Sequence, residues 1–166
     1  FNTTVGGPVP QVTYTVQDPD GEQADAALTI AVAPVNDAPD AVDDNRTVDE
    51  DVATPPNVTL PTDIDDAPNA TTALINQVPS AGQGSVSYTL DIGGTATANA
   101  GTTLTMTELA TLTFTGAADY TGLVDPILYT AIDDDIAADA GSEGAVFITI
   151  LPINDAPLAV DDGAFV

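Results

Sequence analysis

Hydrophobic and polar residues alternate strictly in several short stretches of this chain. Val12, Tyr14 and Val16 fall on one face of an extended strand, and the threonines between them fall on the other. A period of two is the pattern of a half-buried β-strand. Residues 28–32 alternate in the same way, and residues 18–21 between the two stretches contain the proline and glycine of a tight turn. We therefore expect a β-hairpin at the beginning of the chain.

The same alternation predicts further short strands through the rest of the chain. They span residues 41–48 with a short continuation at 58–60, then 73–78, 85–92, 102–106, 112–114, 127–132 and 145–151. In the 85–92 strand, Val86, Tyr88, Leu90 and Ile92 are expected to face inward, and one helical turn is expected at residues 107–110. About seven short strands separated by turns are typical of an all-β, antiparallel β-sandwich.

An acidic nonapeptide occurs twice. Residues 36–44 return as residues 154–162, with one difference, Asp40 against Leu158, and the spacing of 118 residues suits one mid-sized β module. Self-similarity at a fixed spacing indicates an array of repeats. The repeated segment is short, acidic and interrupted by proline, so we interpret it as a joint between modules.

The last hairpin also repeats the first. Tyr14 matches Tyr129 at an offset of 115 residues, whereas Val32 matches Ile150 at an offset of 118. The difference of three residues falls in the hairpin loop, where insertions are tolerated. We therefore divide the chain into the closing hairpin and linker of a preceding sandwich (1–39), a complete sandwich module (40–157) and the first strand of a following module (158–166).

Charge changes this picture. The chain has 26 acidic residues against a single cation, Arg46, and contains no histidine, which gives a net charge of −25. Nucleic acids and anionic membrane surfaces need basic patches, so we expect neither as a partner. No apolar run approaches the ~20 residues of a membrane span, so membrane insertion is not expected. Clustered carboxylates repel one another unless a cation neutralises them, and Ca²⁺ prefers such oxygen ligands. The alternative is a diffuse acidic surface adapted to high salt.

The acids are bunched, and three groups of candidate Ca²⁺ ligands result. Around the first joint they are Asp18, Asp20, Asn36, Asp37, Asp43, Asp44, Asp49, Glu50 and Asp51. Around the second joint they are Asp133, Asp134, Asp135, Asn154, Asp155, Asp161 and Asp162. Asp63, Asp65 and Asp66 form a third group, which either joins the first joint or is only a turn. Ca²⁺ takes six to eight oxygens, and no single loop supplies that many, so we expect a site that draws on both sides of a joint.

The motifs of the joint resemble a known family. Residues 35–39 with Asp43 and Asp44, followed by residues 49–51, resemble the joints of bacterial cadherin-like and Ig-like tandem repeats in large RTX-type adhesins and related cell-surface proteins. Residues 14–21 and 117–122 match other signatures of these repeats, so the resemblance covers nearly the whole chain. It implies Ig-like or cadherin-like sandwiches in a tandem array, with Ca²⁺ held between them to stiffen a stalk. In one departure from the family's complete modules, the first module here is truncated.

We therefore expect a structural role rather than catalysis. The chain lacks the histidine, cysteine and lysine of the common nucleophile–base pairs, so it is not expected to be an enzyme. The leading hypothesis is a calcium-stiffened extender segment of an extracellular adhesin or cell-surface stalk. Its partners would be neighbouring modules of the same polypeptide, or identical subunits arranged end to end.

Two alternatives stay open. In the first, the chain is a filament subunit, and residues 158–166 of one copy complete the hairpin of the next by strand addition. In the second, a threonine-rich face recognises a carbohydrate or a protein, although the sequence offers no aromatic anchor for it. That face would carry Thr103, Thr105, Thr107, Thr111, Thr113 and Thr115. Sequons at Asn2, Asn45, Asn57 and Asn69 permit N-glycosylation in a secreted protein.

Overall fold

A computed structural model describes residues 11–30, 36–64, 70–133 and 140–157. These residues form an all-β structure with eleven strands and one short helix. The strands are β1 Val12–Gln17, β2 Gln23–Leu28, β3 Asp44–Asp49, β4 Thr72–Gln77, β5 Gly84–Thr89, β6 Thr95–Thr97, β7 Thr103–Thr105, β8 Thr113–Gly116, β9 Gly122–Leu123, β10 Ile127–Ile132 and β11 Ala140–Leu151. The helix is α1 Met106–Ala110. The prediction of an all-β sandwich is confirmed.

Strands β1 and β2 form a two-stranded antiparallel sheet. The expected hairpin is present, but its second strand begins five residues earlier than residues 28–32 predicted. The reason is a tight turn, in which Gly21 N donates to Asp18 O over 3.1 Å and Asp18 N donates to Glu22 O over 3.0 Å. Residues 31 and 32 of the predicted strand lie outside the described residues.

The larger sheet of the sandwich has the strand order β3-β11-β10-β4-β7, and β9 also pairs with β11. Strands β10 and β11 form the expected antiparallel hairpin, but β3 runs parallel to β11, with Asp44 opposite Val146 and Asp49 opposite Leu151. The sheet is therefore mixed, with this one parallel pair in the otherwise antiparallel larger sheet. A parallel pair needs a long crossover, and here the rest of the module lies between the two strands.

The smaller sheet has the order β6-β5-β8 and packs its apolar face on the larger one. Val86 and Phe114 are directly opposite each other on this face and are 1% and 0% exposed. Strand β6 was not predicted, and Ile92, expected to face inward, is 94% exposed. The chain has already turned there, since Leu90 N donates to Gly94 O.

Alternating side chains of β4, β10 and β11 fill the core between the sheets. They are Ala73, Ile75, Ile127, Tyr129, Ala131, Val146, Ile148 and Ile150, each at most 1% exposed. The predicted continuation strand at residues 58–60 does not form. Instead Thr59 N donates to the Asp44 carboxylate, and Val58 is buried against the core.

Helix α1 covers the predicted helical turn and begins one residue earlier. Thr105 is its N-cap and accepts a bond from Glu108 N, while the Glu108 side chain accepts one from Thr105 N. This capping box satisfies donors that a short helix leaves open. Met106 and Leu109 point into the core. Within the described residues no helix has the length and apolar character needed to cross a membrane.

Candidate metal sites at the two ends of the sandwich

The chain enters and leaves the sandwich at opposite ends, each next to one of the two joints. We define the first end as the one where β11 begins and the second end as the one where it finishes. Because β3 is parallel to β11, residues that precede β3 lie at the first end, and residues that follow β3 lie at the second end. A strand rises about 3.3 Å per residue, so the twelve residues of β11 separate the two ends by about 40 Å.

At the first end, the joint is bonded to the hairpin formed by β10 and β11. Asn36 Nδ2 donates to Asp133 Oδ2 over 2.5 Å, and Asp133, directly after β10, is 4% exposed. Ser142 N donates to Pro39 O over 3.1 Å. These contacts place a carboxylate and an amide oxygen, both suitable oxygen ligands, beside the entrance of the chain into the module.

Two further aspartates of the first joint are held by β11. Asp40 Oδ1 accepts a bond from Ser142 Oγ over 3.0 Å, and Asp43 Oδ1 accepts one from Ala145 N over 2.9 Å. Asp40 also forms a bridge with Thr62, with N–O distances of 2.8 and 3.0 Å, which brings residue 63 to the same end. Sequence analysis did not identify Asp40, although it is the position where the two nonapeptides differ.

Asp44 is used by the fold itself. Its Oδ1 accepts bonds from Arg46 Nη2 at 2.7 Å and Thr59 Oγ1 at 2.9 Å, and its Oδ2 accepts one from Thr59 N at 2.6 Å. The Arg46 guanidinium also donates to the carbonyl oxygens of Asn45, Pro56 and Asn57. The only cation of the chain therefore pins the irregular segment 56–59 to β3, and Asp44 holds that cation in place.

At the second end, a buried carboxylate holds the chain where it leaves the module. Glu50 is 3% exposed, and its Oε1 accepts a bond from Ile153 N over 2.6 Å. Glu50 N donates to Leu151 O over 3.0 Å. Asn154 and Asp155 follow at once and are exposed. Asp49 and Asp51 flank Glu50 and are also exposed, so oxygen donors from β3 and from the joint share this end.

This arrangement corrects the predicted grouping. Asp133 was grouped with the second joint, but it contacts Asn36 of the first. Glu50, with its neighbours Asp49 and Asp51, was grouped with the first joint, but it contacts Ile153, the residue directly before the second joint. The predicted groups followed distance along the sequence, whereas the parallel pairing of β3 with β11 sends the two ends of β3 to opposite ends of the module.

In the first hairpin, Asp18 shapes the turn. Its Oδ1 accepts bonds from Asp20 N at 3.0 Å and Glu22 N at 2.9 Å, and both aspartates are exposed. This is the local side chain-to-backbone bonding that aspartate favours in turns. The structure thus explains Asp18 as a turn residue, and its proposed role as a metal ligand stays a prediction.

Several predicted site residues lie outside the described residues. They are Asp65, Asp66, Asp134, Asp135, Asp161, Asp162, Asn2 and Asn69. In the described part of the chain, no three carboxylates come together closely enough to hold a metal ion by themselves.

The other candidate positions are distributed over the surface. The sequon residues Asn45 and Asn57 are exposed. Thr103 and Thr105 lie on β7 of the larger sheet, whereas Thr113 and Thr115 lie on β8 of the smaller one. The threonines predicted to form one face are thus divided between two sheets.

The negative charges of the first joint affect the pKa of one core residue, Tyr129. Burial, followed by the negative charges of Asp44 and Asp43, raises the pKa of Tyr129 to about 12. The Tyr129 hydroxyl lies 3.4 Å from Thr59 O, to which it donates. Sequence analysis used Tyr129 only as a marker of the repeat.

Comparisons with protein-family models, curated proteins and solved structures found no match to this chain.

Proposed function

We propose that this chain is a structural segment of an extracellular rod, in which β-sandwiches follow one another and Ca²⁺ stiffens the joints between them. The observation that carries the proposal is the pair of joint contacts, Asn36 with Asp133 at the first end and Ile153 with Glu50 at the second. Asp133 directly follows β10 and Glu50 directly follows β3, so both bonds attach the chain to the larger sheet. The sandwich therefore sets both the direction in which the chain enters and the direction in which it leaves.

The chemistry of the donors supports Ca²⁺ as the stiffening ion. All candidate side chains offer oxygen, the ligand type that hard divalent cations prefer. We assign Asp37 and Asp63 to the first end together with the bonded residues Asn36, Asp40, Asp43 and Asp133. To the second end we assign Asp49, Glu50, Asp51, Asn154 and Asp155. We assign the remaining ligands of each ion to the neighbouring module, so that binding requires the two modules to be aligned.

The mechanism is linkage between binding and alignment. An ion that binds only the folded, aligned state stabilises that state by RT ln(1 + [Ca²⁺]/Kd). Extracellular sites work with Kd values of about 10⁻⁴–10⁻³ M. For a Kd of about 1 mM, 10 mM Ca²⁺ would contribute about 1.4 kcal/mol per site. The same ions would reduce the mutual repulsion of the 26 acidic residues.

The test is a thermal melt of the full chain, with a scattering measurement, in 10 mM CaCl₂ and in EGTA. Matched NaCl and MgCl₂ samples of equal ionic strength separate specific binding from screening. We expect a higher melting temperature and a narrower distribution of dimensions in Ca²⁺ only. Equal values in CaCl₂, MgCl₂ and NaCl would refute a specific site and would favour a diffuse acidic surface.

A further inference from the structure

The β1–β2 hairpin has the same strand register as the β10–β11 hairpin over four residue pairs, up to the register shift that follows Thr130 in β10. In the first hairpin the paired residues are Val12 with Leu28, Thr13 with Ala27, Tyr14 with Ala26 and Thr15 with Asp25. In the second they are Ile127 with Val146, Leu128 with Ala145, Tyr129 with Gly144 and Thr130 with Glu143. All four pairs correspond at offsets of 115 residues in one strand and 118 in the other. The repeat seen in sequence is therefore also a repeat of backbone pairing.

The two hairpins differ sharply in burial. Ile127, Tyr129 and Val146 are each 0% exposed, because they face the core of the sandwich. Their counterparts in the first hairpin carry the same apolar character, yet Tyr14 is 53% exposed and Leu28 is 53% exposed. An isolated two-stranded hairpin is marginal in water. Among the described residues, the first hairpin thus presents the apolar face of a closing hairpin without the core that such a face normally covers.

We infer that this face packs on a second sandwich body, built like residues 40–126 and preceding the hairpin in the same polypeptide. We place the body before the hairpin because, in the complete module, β10 directly follows the body and begins one residue after Pro126. Another copy of residues 40–126 in trans is disfavoured as the occupant, because in each copy this position is already filled by its own β10 and β11.

The complete module defines how the partner pairs with the hairpin. Strand β4 runs antiparallel along β10, and β3 runs parallel along β11 from Val146 onward. The inferred body therefore places a β4-like strand along β1, antiparallel to it. One local difference is expected, because Ala26 replaces the glycine opposite the tyrosine. A Cβ at Gly144 would lie 2.6 Å from the Tyr129 ring, so the Tyr14 ring has to pack at another tilt.

The test is a fusion in which a copy of residues 40–126 is followed directly by residues 12–166, so that the first hairpin receives the body that it lacks. Hydrogen exchange is followed in EGTA, which separates this inference from the proposed Ca²⁺ site. We expect amides of β1 and β2 to exchange at least tenfold more slowly in the fusion than in the 166-residue chain. Equal exchange rates in both proteins would overturn the inference.

Tyr14→Asp provides the matched control. In the 166-residue chain this substitution should leave the melting temperature unchanged, whereas in the fusion it should lower it. If the fusion does not fold, a second variant of the 166-residue chain decides. Ile127→Val with Val146→Leu copies the apolar residues of the first hairpin onto the second. If this double variant still unfolds in one cooperative transition, the inference that the first hairpin fits such a body is supported. Loss of the cooperative transition overturns the inference.

Discussion

The Asn36 side-chain amide donates a hydrogen bond to the Asp133 carboxylate over 2.5 Å, although 97 residues separate them in the sequence. The bond closes the first end of the sandwich, where the chain enters the module. Asp133 is buried, so its carboxylate relies on partners within the protein rather than on water. The contact therefore couples the conformation of the joint to the integrity of the β10–β11 hairpin.

Asp133→Ala should loosen the first joint. The substitution removes the acceptor of the Asn36 amide, and we expect a loss of about 1–3 kcal/mol in the free energy of unfolding. Amides of residues 36–41 should also exchange faster with solvent. The control is Asp125→Ala, which removes the same charge from an exposed position. Similar urea midpoints and exchange rates for the two variants would contradict a specific role of Asp133.

Substitutions of Glu50 can separate the effect of its hydrogen bond from the effect of its charge. Glu50→Gln keeps an oxygen acceptor for Ile153 N, so we expect a smaller loss of stability than for Glu50→Ala, which should cost about 1 kcal/mol or more. If Glu50 is a Ca²⁺ ligand, both variants should show a reduced Ca²⁺-dependent rise in melting temperature. Melts of the three proteins in CaCl₂ and in EGTA measure both effects. A full Ca²⁺ response in Glu50→Gln would restrict Glu50 to its structural role.

Gly144→Ala should destabilise the module through a direct clash. A Cβ there would lie 2.6 Å from Cζ and 2.7 Å from the hydroxyl oxygen of Tyr129, a side chain that is fully buried. Overpacking of this kind costs about 1–3 kcal/mol. Gly82→Ala is the control, since its Cβ would meet no atom within 4 Å. Denaturant midpoints compare the two variants, and equal midpoints would mean that the Tyr129 ring shifts without cost.

The raised pKa of Tyr129 predicts a loss of stability in alkaline solution. Tyrosine ionises near pH 10 in an unfolded chain, whereas the pKa of Tyr129 in the folded protein is about 12. Below pH 10 both states hold the proton, and the folded state loses no stability. Between pH 10 and 12 the unfolded state releases the proton first, so the free energy of unfolding falls as pH rises.

Tyr129→Phe should remove this part of the pH dependence. Urea titrations of both proteins at intervals from pH 9 to 12 measure the difference. Any decline that both proteins share comes from other groups. Parallel curves over the whole range would show that ionisation of Tyr129 is not linked to unfolding.

Much of the fold follows from local pattern. The strands β1, β4 and β10 were predicted within a residue or so. Alternate side chains are buried in β4 and β10, whereas β1 is exposed throughout and alternates only in its sequence. The start of β2 and the exposure of Ile92 were predicted wrongly, since a turn ended the alternation at each place. Strand β6 was missed because its three residues are too short to show a period.

The candidate site divides in the same way. The sequence by itself determined that the chain is acidic, all-β and internally repeated, because composition, alternation and self-similarity are properties of the chain alone. Only the tertiary structure decided at which end of the sandwich each acid lies. The pairing of β3 with β11 and the hydrogen bond from Asn36 to Asp133 join residues about a hundred positions apart, and no local pattern encodes such a contact. The acids therefore belong to two ends of one sandwich, and not to two stretches of sequence.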